Sequence, residues 1–82
     1  MAMIRITASA RKHRLTRNRI LAALENAELV QTVGDAEYYI GTDNLGMELE
    51  LIVVPDDRYP DRLACIHAMP THYRENEEDQ QR

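Results

Sequence analysis

The chain contains no tryptophan and no phenylalanine. Its core must therefore come from Leu, Ile, Val, Met and Ala, with help from the four tyrosines. A single cysteine, Cys65, excludes an internal disulfide and a cysteine-rich zinc site. That usage fits a reducing compartment. The three glycines stand isolated, so there is no glycine-rich loop to cradle a phosphate. No apolar run approaches the ~20 residues of a membrane-spanning helix. Met1 to Thr7 is too short for the apolar core of a signal peptide and runs into charge. These absences lead us to expect a soluble, cytoplasmic protein with no membrane partner. The 82 residues suffice for one domain. A core of this size supplies only about 3–5 kcal/mol, so a partner that covers apolar surface would matter.

Acidic residues are missing from the front of the chain. Met1 to Leu24 holds six basic residues and no acid, whereas Glu25 onward holds fourteen acids and four bases. The net charge of −4 hides this asymmetry. A basic front can orient a protein on an anion such as RNA, or match a partner of mixed charge. It also fits a plain solvated helix.

Two short stretches gather the reactive groups. One is Ala10-Arg11-Lys12-His13-Arg14, followed by Leu15-Thr16. The other is Ile66-His67-Ala68-Met69-Pro70-Thr71-His72-Tyr73-Arg74. Together they hold all three histidines. Metal-free RNA cleavage needs a base for the 2′-hydroxyl proton, an acid for the leaving 5′-oxygen and a cation for the phosphate. Histidine titrates near pH 6.5 and serves both proton roles, while arginine grips phosphate with a planar fork. Two ends brought together in one site would supply all three.

The elements follow from pattern. Met3 to Thr7 alternates weakly and predicts a short strand. Thr7 or Ser9 caps a short helix through Arg11 to His13. Thr16 is the better N-cap, ahead of Ile20, Leu21, Leu24 and Ala27 at helical spacing, which predicts a helix over 17–27. Strands are expected over 29–33, 37–41, 47–54 and 62–69, separated by Gly34-Asp35, a turn at 42–46 and a proline-bounded loop at 55–61. On the last strand Leu63, Cys65, His67 and Met69 share a face by simple alternation, which makes His67 a core histidine if that face meets the helices. Asp56, Asp57 and Asp61 lack the glycine and terminal glutamate of a calcium loop, so no metal site is expected. Cys65 reads as a small buried hydrophobe. The expected fold is α+β in two layers, with N-terminal helices packed on a small antiparallel sheet of three to four strands. It forms a single domain over 1–74, with an acidic tail over 75–82.

The layout, with Ala10-Arg11-Lys12-His13 ahead of the helix carrying Ile20-Leu21-Ala22-Ala23-Leu24 and a last strand closing on His72 and Arg74, resembles the RelE-like toxin superfamily and its compact BrnT-like branch. The resemblance covers roughly residues 3 to 74. It implies a metal-independent endoribonuclease that needs no cofactor, cuts mRNA and is neutralised by a cognate antitoxin, often a DNA-binding protein. On that basis His13, His72, Tyr73 and Arg74 are the expected catalytic residues, and Arg11, Lys12 and Arg14 the expected RNA-binding ones. The chain departs from the family pattern in its acidic balance and its short or absent third helix. Those departures motivate the alternative of a non-catalytic protein-interaction module, a degenerate member of the toxin fold.

Overall fold

A computed structural model describes residues 4–11, 14–59 and 61–72. Five strands form one sheet: β1 (Ile4–Ile6), β2 (Glu28–Val33), β3 (Ala36–Thr42), β4 (Glu48–Pro55) and β5 (Leu63–Pro70). Their spatial order is β1-β5-β4-β3-β2. Strands β2 to β5 form an antiparallel meander, whereas β1 lies parallel to β5, with Ile4 opposite Leu63 and Ile6 opposite Cys65. A 3-10 turn, η1 (Ser9–Arg11), and one α-helix, α1 (Arg17–Glu25), link β1 to β2.

This is an α+β fold, but it corrects the expected architecture in two respects. The sheet is five-stranded and mixed, because β1 joins the far edge beside β5. There is one α-helix among the described residues, because residues 9–11 form only a 3-10 turn. That segment has one buried side chain, Ala10, and so lacks the recurring apolar positions that hold a longer helix against a sheet.

Helix α1 begins where its sequence says. Thr16 is extended (φ −77°, ψ 158°), and its hydroxyl accepts the Arg19 N–H at 3.2 Å. Ile20 and Ala23 are fully buried. The helix stops at Asn26, whose amide side chain donates to the carbonyls of Ala22 and Thr42. Gly41 of β3 passes directly beneath Ala23, where the absence of a side chain permits the approach.

The helical layer covers one face of the sheet. Leu49, Leu51 and Val53 of β4 point into it, together with Cys65 and Ala68 of β5. Full burial of Ile20, Leu49 and Leu51 contributes about 1.5–3 kcal/mol each. Leu49, Leu51 and Val53 thus alternate regularly along β4. In β5 the alternation is not regular: Ile52 pairs with His67 but Val53 pairs with Cys65, leaving Ile66 as an extra residue in a β-bulge. His67 therefore falls on the face opposite Cys65, and the simple alternation of Leu63, Cys65, His67 and Met69 is broken.

Candidate functional site

The parallel pairing of β1 with β5 decides where the two reactive stretches leave the sheet. Both strands run the same way, but β1 pairs only with Leu63 to Cys65, so the segment that follows it leaves beside the middle of β5, while β5 itself continues to Pro70. Hydrogen bonds fasten the first segment beside β5: the Thr7 N–H donates to the Cys65 carbonyl at 3.1 Å, and the Ser9 hydroxyl to the Ile66 carbonyl at 3.0 Å. Arg11, at the end of η1, is exposed. Arg14 is also exposed and adopts a left-handed conformation with φ 63°. At the end of β5, Thr71 and His72 are helical, with His72 exposed. Lys12, His13, Tyr73, Arg74 and the acidic tail 75–82 lie outside the described residues.

A second group was not legible as a site in the sequence. The bulge turns His67 onto the sheet face that α1 leaves open, where its Nε2 lies 3.6 Å from a Glu50 carboxylate oxygen. Glu50 is buried at 8% exposure and floors a groove of about 270 Å³ lined also by Val30, Gln31, Tyr38, Ile40 and Thr71. An imidazole beside a carboxylate can exchange protons. The groove lining holds no cation, however, and Glu48 stands at its rim on the Thr71 hydroxyl at 2.9 Å. A phosphate would meet carboxylates there, which disfavours RNA in this groove.

A third group lies at the opposite end of β5. Arg5, Arg17 and Arg62 line a recess of about 220 Å³ with Asp56 and Tyr59. Asp56 is buried and accepts from Arg5 Nε at 2.9 Å, Arg5 Nη2 at 3.3 Å and the Arg58 N–H at 2.9 Å. The Arg5 hydrogen bond, then the Arg58 N–H, hold the Asp56 carboxyl below its usual range, while Asp56 raises the Arg5 guanidinium. The sequence carried a partial signal: Arg5 alternates with Ile4 and Ile6, so it had to face away from the core. Nothing in the order of residues foretold that Arg17 would line the same recess.

Other polar groups support the frame. Asp43 accepts the Leu45 and Met47 N–H groups at 2.8 and 3.0 Å and Arg19 Nε at 2.8 Å. Burial pushes its carboxyl up, but these donors outweigh burial and hold it below its usual value. Burial raises the Cys65 thiol, which favours the unreactive protonated form. Among the described residues no helix is long and apolar enough to cross a membrane. No family model, curated protein or solved structure matches this chain.

Proposed function

We propose that the chain is a toxin-like, metal-independent endoribonuclease that acts on mRNA in the cytoplasm and is held in check by a cognate antitoxin. The observation that supports this reading is the parallel β1–β5 pair, which sets the segment bearing Arg11 alongside β5, the strand that His72 follows. In the proposed reaction one of His13 and His72 takes the 2′-hydroxyl proton. The 2′-oxygen attacks phosphorus, and the P–O5′ bond breaks. The other histidine protonates the departing 5′-oxygen, leaving a 2′,3′-cyclic phosphate and a 5′-hydroxyl. Arg74, Arg11, Lys12 and Arg14 hold the phosphate charge, and Tyr73 stacks on a base.

The test is cleavage of single-stranded RNA by the purified chain in the presence of a chelator. Cyclic-phosphate ends and a loss of about 100-fold or more in His13→Ala and His72→Ala are expected. Wild-type cleavage by folded His13→Ala and Arg74→Ala variants would overturn the site.

One observation favours the second reading, a non-catalytic interaction module. Strand β2 is a sheet edge with every residue exposed, including Leu29 (52%), Val30 (59%) and Val33 (52%). Such an edge can receive a strand from another protein. A folded chain that leaves RNA intact yet forms a stable complex with a neighbouring gene product, lost on Val30→Pro, would select this reading.

A further inference from the structure

The recess at the start of β5 has more positive charge than its own structure needs. Three arginines line it from separate elements: Arg5 from β1, Arg17 from the first position of α1, and Arg62 from the turn before β5. One carboxylate, Asp56, stands among them, and it is engaged by Arg5 and the Arg58 amide. Among the described residues, Arg17 and Arg62 form no ion pair. Asp57 and Asp61 belong to the same loop and do not line the recess, although Asp57 also acts on Arg5 from nearby. Like charges gathered around one recess repel one another unless each is balanced, and Arg17 and Arg62 have no carboxylate of their own there. Arg17 is also unfavourable for its own helix, because the first turn of a helix favours acids over cations. The recess thus carries positive charge that Asp56 does not balance, which points to a bound anion.

The recess is also shaped in advance. The Asp56 N–H donates to the Arg62 carbonyl at 2.9 Å and the Arg62 N–H to the Tyr59 carbonyl at 2.8 Å, closing the loop on itself. The two hydrogen bonds to Asp56 fix the plane of Arg5 and leave its Nη1 group available. The Arg62 guanidinium carbon sits 4.6 Å from the centre of the Tyr59 ring. Tyr59 remains 49% exposed, so a planar group can still reach the aromatic–guanidinium stack.

We infer that this recess binds the phosphate of a single-stranded RNA nucleotide, with Arg5, Arg17 and Arg62 on the phosphate oxygens and Tyr59 beside the base. It lies at the other end of β5 from the proposed cleavage site and does not depend on cleavage. It would hold the strand in place through a second phosphate.

The test is binding, read by amide and arginine side-chain NMR shifts and by fluorescence titration, with inorganic phosphate, uridine monophosphate and a ten-nucleotide uridine RNA. The expected result is saturable shifts at Arg5, Tyr59 and Arg62 with both the RNA and the mononucleotide. Arg17→Ala/Arg62→Ala should weaken RNA binding about tenfold or more and lower the salt slope by about 1.4, the share of two single-strand phosphate contacts. Arg62→Lys keeps the charge but loses the planar stack, and should restore the slope without the full affinity. Equal RNA affinity in the folded double variant would overturn the proposal. Saturable binding of inorganic phosphate with no gain from the nucleoside would also overturn the nucleotide assignment. Binding here with no cleavage would leave the inference standing and remove the ribonuclease reading.

Discussion

Gly41 shows how little slack a single position has. A methyl group added there would fall on the Ala23 carbonyl oxygen and close against the Ala27 backbone. Helix and strand would have to separate. Gly41→Ala should therefore cost about 1–3 kcal/mol, read by urea denaturation. Gly34 makes the useful contrast: its φ of 59° favours glycine, but nothing lies within 4 Å of an added methyl, so its replacement strains the turn alone. A Gly41→Ala variant as stable as the parent would show that α1 does not sit on β3 as described. The same residue scale explains what was legible in α1. Thr16 and the spacing of Ile20, Leu21, Leu24 and Ala27 are local signals; they gave the helix its start and, through Ile20, part of its buried side, but not Ala23, which is also fully buried. The close approach at Gly41 is a tertiary fact that local pattern does not carry.

Among the elements, β5 departs most from its apparent pattern. Strict alternation puts Cys65 and His67 together, whereas the bulge at Ile66 separates them. A bulge has no reliable residue signature, so periodicity alone could not reveal it. The pairing of β1 was equally hidden. Alternation marks a strand but does not name its partner or direction, and Ile4 to Ile6 is only three residues long. Because Ile66 is the surplus residue, its deletion should restore a regular ladder with Ala68 still inward. We expect the Ile66 deletion to fold, at a cost of about 1–2 kcal/mol. Deleting Ala68 should instead turn Met69 inward and abolish the cooperative transition. Circular dichroism melts distinguish the two, and equal melts would mean that the register is not set as described.

At the scale of the whole molecule, two carboxylates tie distant parts of the chain together. Asp43 joins α1 to the β3–β4 turn, and Asp56 joins β1 to the β4–β5 loop. Both are held below the ordinary value of 3.8 in the folded chain. Their stabilisation is therefore complete above that value and is lost as pH falls through the lower, folded values. The melting temperature should hold from pH 7 to about pH 5 as far as these groups are concerned, and drop below about pH 4. Asp43→Asn/Asp56→Asn should melt lower at neutral pH and show a shallower acid decline. An unchanged decline would assign the acid sensitivity elsewhere. The candidate site was legible to a similar, partial degree. The basic front and the histidine-rich end were visible as composition. That a parallel strand pair lays the first of them alongside β5, and that three arginines line one recess at the start of that strand, follows from topology.

That parallel pair also sets an order of events in time. The meander from β2 to β5 closes through near neighbours, but the bond from Ser9 to Ile66 spans 57 residues. Contacts across long loops form late. During synthesis β1 emerges first and has no partner until β5 has left the ribosome. Until β5 is made, the segment bearing Arg11 has no strand to lie against, so the front of the chain is the last part of the sheet to find its place.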